Sequence, residues 1–170
     1  MTQVTADEIM VLNCSPSIEQ VEAWLEAVKD PEIPVISIKS LGIYQSVEWQ
    51  GDTLHVNIIP TYSGCPAMHA IKQDIVTLLK QKGIDDVQVH VNNSPIWSTD
   101  MISEAGREQM RAFGIAPPKT ATQQDIACPL CQSKNTKLLS QFSSTSCKAL
   151  YRCNDCLEPF DYFKCYAPIS

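Results

Sequence analysis

The sequence predicts an α+β fold: a small mixed sheet with helices in the order α-β-β-α-β-α, followed by a C-terminal ribbon built around four cysteines. Three observations lead to this prediction. Apolar residues repeat at helical spacing in some segments and alternate in others, and the two kinds of segment follow one another in that order. Residues 1–118 carry 7 basic and 15 acidic groups, whereas residues 119–170 carry 6 and 4. Six of the 8 cysteines also lie after residue 127.

A helix and a β-hairpin open the α+β unit. A Ser-x-x-Gln capping box begins at Ser17 and apolar residues then repeat at helical spacing, which predicts a first helix over residues 17–29. Pro31 ends it, because the residue before a proline is pushed out of the α region. Alternating apolar residues in 43–49 and 54–58, with a Gly-Asp pair between them, predict two strands joined by a turn.

A second helix, a third strand and a third helix complete this unit. Pro66 suits the first position of a helix whose apolar stripe runs up to a glycine, so that Cys65 lies just before the helix. Alternating valines predict a strand over 87–91, and Ser103 can cap a last helix that Gly114 ends. Helices gathered around a small mixed sheet favour an α+β sandwich over a doubly wound fold.

The tail contains two Cys-x-x-Cys knuckles. Cys128 and Cys131 form the first, Cys153 and Cys156 form the second, and 21 residues separate them. Four thiolates from two tight turns match the tetrahedral preference of Zn²⁺, and a closed four-sulfur shell leaves no open position for chemistry. We therefore predict a structural zinc ribbon, since a segment this short needs the metal in order to fold.

The same cysteines allow two alternatives. One is iron: five and then two residues separate Cys147, Cys153 and Cys156, one residue more than the plant-type ferredoxin spacing, and Cys165 could be a fourth ligand. The other is a set of unmetallated thiols or disulfides. If zinc is correct, Cys147 and Cys165 are spare and pack as small apolar residues beside the ribbon.

Charge and composition restrict the functional classes. The formal net charge of −6 argues against a nucleic-acid partner, and no apolar segment is long enough to cross a membrane. The N-terminus lacks a basic segment followed by an apolar run, so we expect a cytoplasmic protein. The predicted parts are an N-terminal extension (1–16), an α+β domain (17–116), a linker (117–126) and a metal domain (127–170).

Cys65 is the candidate reactive residue of the first domain. Free backbone N–H groups and the helix dipole favour a thiolate at a helix start, and a thiolate is nucleophilic and binds soft metals. His69, four residues later, could share an ion with it or activate it, whereas a lone cysteine there is more often structural. Asp30 and Glu32 are candidate metal ligands or partner-binding charges, or else a solvated acidic loop.

The first domain resembles the MIP18 family over roughly residues 17–115. The resemblance rests on the acidic loop after the first helix, on the turn that contains Cys65 and on the segment 97–114. It implies a role in iron–sulfur cluster assembly or in delivery to client proteins. It also implies a homodimer as one state, although no self-complementary patch is evident in the sequence and the oligomeric state stays open.

The resemblance also implies roles for single residues. It makes Cys65 a transient iron or cluster ligand, and it places Asp30, Glu32 and Thr61 along the same functional loop region.

With the cysteine tail included, the chain resembles the D-component family of phenylacetyl-CoA epoxidase systems. In such a system, which serves aerobic phenylacetate degradation, a di-iron oxygenase forms a ring 1,2-epoxide and a reductase supplies electrons through flavin and a 2Fe–2S cluster. The resemblance implies the reductase and oxygenase components, together with the iron–sulfur assembly machinery, as partners.

The chain itself has the residue pattern of neither component. It lacks paired Glu and Glu-x-x-His helices for a di-iron centre, a Gly-rich dinucleotide loop and a flavin signature. We therefore expect a non-catalytic accessory factor that assists assembly or insertion of the partners' iron–sulfur or iron centre. The alternative is a non-catalytic structural subunit of the oxygenase complex. A thiol enzyme using Cys65 and His69 ranks last, because no third group that would orient the histidine is identifiable.

Overall fold

The computed structural model describes residues 15–119 and 125–164. These residues form helices and two small sheets, which confirms the predicted α+β class. The α-helices are α1 (Ile18–Leu25), α2 (Ala67–Gln81) and α3 (Glu104–Ala112), and a short 3-10 turn spans Thr99–Met101. The strands are β1 (Tyr44–Gln50), β2 (Thr53–Ile58), β3 (Val87–Val91), β4 (Ile115–Ala116), β5 (Thr136–Ser140), β6 (Lys148–Cys153) and β7 (Pro159–Phe163).

The first helix has the predicted start and an earlier end. The side chain of Ser17 accepts a hydrogen bond from the N–H of Gln20, and the reciprocal bond completes the capping box. The helix ends at Leu25 rather than near residue 29, so the predicted length is wrong. The next N–H groups, those of Ala27 and Val28, donate to carbonyls three residues back, which tightens the chain into turns before Pro31 can act.

The first sheet has the strand order β1-β2-β3. Strands β1 and β2 form the predicted antiparallel hairpin, and β3 pairs parallel with β2 after the crossover through α2. Alternate residues of β2 lie in one buried cluster with the apolar stripe of α2. The fully buried side chains of this layer are Leu54, Ile58, Ile71, Ile75 and Leu79.

The second sheet has the order β4-β7-β6-β5 and packs against the first unit. Strand β4 follows α3 directly and pairs parallel with β7 of the ribbon. Cys147 and Phe163 of the ribbon belong to the buried cluster of the first unit. The buried guanidinium of Arg107 donates to the carbonyl of Pro118 at 2.9 Å, which fixes the chain where it leaves the first unit. The domain boundaries themselves stay a prediction, and residues 120–124 of the predicted linker lie outside the described residues.

None of the helices in the described ranges combines the length and the apolar composition that a membrane span requires. Cys14 and Cys165 lie outside those ranges.

Candidate metal centre and thiol site

The four knuckle cysteines come together at one end of the ribbon. The sulfur atoms of Cys128, Cys131, Cys153 and Cys156 all lie within 4.8 Å of one another. Two of the separations are 3.8 Å, between Cys128 and Cys156, and 3.5 Å, between Cys131 and Cys153. Metal–sulfur bonds of about 2.3 Å in a tetrahedron place the sulfurs about 3.8 Å apart. The cluster therefore fits a four-coordinate metal site.

The two knuckles have the same backbone design. The N–H of the first cysteine, Cys128 or Cys153, donates to the carbonyl five residues later, at 2.8 and 3.0 Å. The residue after the second cysteine, Gln132 or Leu157, has a positive φ of 64° or 68°. This left-handed residue turns each loop sharply back, which points both cysteines of the knuckle toward the same centre.

A polar contact joins the knuckles beside the sulfur cluster. The carboxylate of Asp155 accepts hydrogen bonds from the Ser133 hydroxyl and, at 2.8 Å, from the Asn135 side chain. These two donors lower the pKa of Asp155. Inside the second knuckle, backbone N–H groups of Cys156 and Asp155 lower the pKa of Cys153 to about 7, so this thiol is prepared for ionisation.

Cys147 is not part of this cluster. Its side chain lies 4% exposed in the core of the first unit. The iron alternative that counted Cys147 among the ligands is therefore wrong, because it replaces Cys128 and Cys131 with a thiol on the opposite interface and with Cys165, which lies outside the described residues. The expectation that Cys147 packs beside the ribbon as an apolar residue is also incomplete, because its thiol has a polar partner.

Cys65 lies between β2 and α2, as predicted, and is 9% exposed. The backbone N–H of Ala67 and the hydroxyl of Tyr62 both donate toward its sulfur and lower its pKa. Burial acts against them and is the larger effect, so the pKa of Cys65 is raised overall. The predicted preference for a thiolate at the helix start is thus outweighed. His69 is exposed on α2, as expected from its position.

The acidic loop is held by Asp30. Its Oδ1 accepts hydrogen bonds from the backbone N–H groups of Glu32 at 2.8 Å and Ile33 at 3.0 Å. Asp30 is 6% exposed, so the interpretation of the loop as a solvated acidic segment is wrong for this residue. Burial raises the pKa of Asp30, and the two N–H donors oppose that shift. Asp30 therefore acts as the support of the turn that presents Glu32.

This role predicts different effects for two substitutions. Asp30→Ala should lower the free energy of unfolding by about 1–3 kcal/mol, since two N–H groups of a buried turn lose their acceptor. Asp30→Asn keeps an acceptor oxygen and removes the buried charge. In the wild-type chain the raised folded-state pKa means that stability falls as the pH rises from the unfolded-state pKa to the folded-state pKa, and the Asn variant should lack this slope.

Urea unfolding of the three proteins between about pH 4 and about pH 8 measures both effects. Equal stability of Asp30→Ala and wild type would contradict the support role.

Glu32 joins the two units. Its Oε2 accepts the thiol hydrogen of Cys147 at 2.6 Å, and its backbone carbonyl accepts from the ammonium of Lys148 at 3.0 Å. Burial and the hydrogen bond to Glu32 raise the pKa of Cys147 to about 12. The Glu32 charge also raises the pKa of Cys65, so both thiols lie within its electrostatic range.

The structure thus brings three of the four predicted loop residues, Asp30, Glu32 and Cys65, into one neighbourhood. Thr61 lies half-buried in the turn before Cys65, and the described contacts do not join its hydroxyl to that group. Two further members, Tyr62 and Cys147, were not predicted. Tyr62 lies inside the turn that the sequence singles out, whereas Cys147 is distant along the chain and only its lack of a role in the zinc prediction could have suggested it.

Two family models match adjacent parts of the chain. Residues 18–91 match the family described as iron–sulfur cluster assembly protein. Residues 116–164 match the family described as PaaD zinc beta ribbon domain. The first range contains Cys65 and Glu32, and the second contains Cys147 and the sulfur cluster, so the thiol neighbourhood draws on both.

One relative matches nearly the whole chain. A protein from Escherichia coli, provisionally named as the D component of 1,2-phenylacetyl-CoA epoxidase, is 41% identical over 155 residues, covering 88% of this chain and 94% of the relative. The chain belongs to the D-component family of phenylacetyl-CoA epoxidase. Both resemblances found in the sequence are confirmed, since this D-component family member contains the iron–sulfur assembly domain and the ribbon in the expected order.

Two further proteins match the first half of this D-component family member. A protein from Porphyromonas gingivalis named Fe-S protein maturation auxiliary factor is 33% identical over 88 residues, covering 51% of this chain and 83% of the relative. A crystal structure of a domain of unknown function, DUF59, from Bacillus anthracis has a TM-score of 0.50 and 27% identity, covering 53% of this chain and 87% of that chain. The first half is therefore a domain that also occurs in proteins of other names.

Proposed function

We propose that the chain is a non-catalytic accessory factor of a phenylacetyl-CoA epoxidase system in phenylacetate degradation. It assists assembly or insertion of the iron–sulfur cluster, or of the iron centre, of the partner reductase or oxygenase. The observation that carries this proposal is the Cys65 thiol next to the Glu32 carboxylate, inside the range that matches iron–sulfur cluster assembly proteins. The names of the relatives, an epoxidase component and Fe-S protein maturation auxiliary factors, support the same combination.

Cys65 is the transient ligand of the cargo in this proposal. A thiol must lose its proton to bind iron, and the Ala67 N–H and the Tyr62 hydroxyl stabilise the thiolate that results. Burial favours the neutral thiol while no iron is present. A ligand that is stable both with and without metal suits delivery rather than permanent binding. Asp30 supports the turn that presents Glu32, and Thr61 lines the same turn.

The sulfur cluster of the ribbon has the separate role of holding the fold. Four thiolates in tetrahedral arrangement are the ligand set of a structural Zn²⁺ site, and a closed shell offers no position to a client or substrate. The ribbon then serves as the part that docks the factor onto its client. In this proposal the reductase, the oxygenase and the iron–sulfur assembly machinery are the partners, reached in the cytoplasm.

The proposal is tested by the iron and labile sulfide content of the purified reductase and oxygenase. The partners are expressed with the wild-type chain, without it, and with Cys65→Ala. We expect the Cys65→Ala partners to lose as much cofactor as those expressed without the chain, because the cargo loses its ligand. Ser63→Ala is the matched control, since Ser63 is exposed in the same turn and should leave the cofactor content unchanged. Full cofactor content with Cys65→Ala would contradict the role of this thiol.

A second candidate function is that of a structural subunit of the oxygenase complex. It is favoured by the exposed apolar side chains of the ribbon, Leu138, Leu139 and Phe142, which are 46%, 49% and 58% exposed. In that case the same experiment gives full cofactor content in all samples, while the complex falls apart in the strain that lacks the chain.

A further inference from the structure

We infer that Cys147, a residue of the ribbon, is the second thiol ligand of the cargo site formed by Cys65 and Glu32. This inference rests on the proposed function and extends it: iron is bound between the two units, at a site that neither unit contains alone. The site is distinct from the four-sulfur cluster, whose ligands lie at the other end of β6.

The first argument is the contact between Cys147 and Glu32. The sulfur and Oε2 lie 2.6 Å apart, well inside the separation of two donor atoms on one ion, which is about 3.5 Å for ordinary metal–sulfur and metal–oxygen bond lengths. The two residues are 115 positions apart, so the fold of both units is needed to create this contact. A small widening of the contact would admit an ion between the two donors.

The second argument is the charge of Glu32. In residues 15–119 and 125–164, the ion pairs do not include the Glu32 carboxylate, and its described partner is the Cys147 thiol. The nearby ammonium of Lys148 is directed to the Glu32 backbone carbonyl instead. A half-buried carboxylate that is paired with a neutral thiol is poorly compensated, and a bound cation would neutralise it.

The third argument is the donor set. Two thiolates and one carboxylate are ligands that iron accepts, and three protein ligands leave a position free. An open position is what transfer to a client requires, in contrast to the closed shell of the ribbon. Ferrous iron binding would release one proton from each thiol, and the Glu32 carboxylate, already the acceptor of the Cys147 hydrogen, is the first base available to that proton.

The test measures iron on the full-length chain in its zinc-loaded form, without partners. Ferrous iron is titrated anaerobically by equilibrium dialysis, zinc is determined in the same samples, and the number of sulfur ligands of iron is obtained by X-ray absorption. We expect two sulfur ligands in the wild type. Cys147→Ser keeps a hydroxyl donor for Glu32 and should weaken iron binding by about tenfold or more, since even indirect partners of metal ligands contribute that much. Zinc content should stay unchanged.

The outcomes separate this inference from the proposed function. If Cys65→Ala loses iron while Cys147→Ser binds it like the wild type, the inference is overturned and the delivery role of Cys65 stands. If neither variant changes iron binding, both fail. The sulfur count of the wild type decides the matter even where a variant does not fold, because a single sulfur ligand on iron in the wild-type chain overturns the inference without any substitution.

Discussion

Cys153→Ser is expected to release the metal from the ribbon and to unfold its knuckles. Cys153 is fully buried, and its sulfur lies 3.5 Å from that of Cys131. A serine hydroxyl does not replace a thiolate in a four-sulfur shell, and three remaining thiols in a short segment lack a sufficient hydrophobic core. Structural zinc sites contribute apparent binding free energies of about 10–16 kcal/mol, so losing one ligand removes a large part of the stability of the ribbon.

The measurement is metal content per chain by elemental analysis, together with thermal unfolding. We expect about one metal ion per wild-type chain and nearly none in Cys153→Ser. Cys147→Ser is the matched control, because Cys147 lies outside the sulfur cluster and its removal should leave this metal in place. Retention of the full metal content by Cys153→Ser would contradict the assignment of the ligands. Iron as the metal recovered from the wild type would contradict zinc but not the four-cysteine set.

Local patterns in the sequence account for the parts of the fold that were predicted. The hairpin β1–β2, helix α2 and strand β3 were predictable because alternation, helical periodicity and turn residues act over a few positions. The knuckles were predictable for the same reason, since two residues between cysteines bring both sulfurs to one ion. The early end of α1 was not, because the tight turns at Ala27 and Val28 leave no signal in the residue pattern.

The contacts between the units could not be predicted, because they are tertiary. Cys147 and Glu32 meet across 115 positions, and neither residue type indicates that the other is near. The pKa of Cys65 has the same origin: the helix start was evident in the sequence, whereas the burial that outweighs it depends on the packing of the whole unit. The linker prediction likewise gave no indication that β4 would pair with β7 and that the ribbon would share a core with the first unit.

Trp97 connects the two units and gives the second large effect. Its side chain is 4% exposed, and its indole N–H donates to the carbonyl of Leu41 at 2.9 Å. Its ring meets Phe163 of the ribbon edge to face, with the centroids 6.2 Å apart. Trp97→Ala should lower the free energy of unfolding by about 3–5 kcal/mol, through lost apolar burial, a cavity and an unpaired buried carbonyl.

Trp97→Phe serves as the matched control, because it keeps an aromatic ring against Phe163 and removes the indole N–H. It should lose about 1–3 kcal/mol, mainly for the Leu41 carbonyl and the smaller ring volume. Denaturant unfolding measures both variants. A loss below about 1 kcal/mol for Trp97→Ala would contradict the central position of this side chain.

The same substitution tests whether the units depend on each other. If Trp97 and Phe163 hold the ribbon against the first unit, Trp97→Ala and Phe163→Ala should be non-additive, with a coupling of about 0.5–1.5 kcal/mol in a double-mutant cycle. Because Cys147 precedes the strand that pairs with β7, loosening this contact should also separate Cys147 from Glu32. Trp97→Ala should then weaken ferrous iron binding while the ribbon keeps its own metal. Additive energies together with unchanged iron binding would mean that each unit keeps its structure without the other.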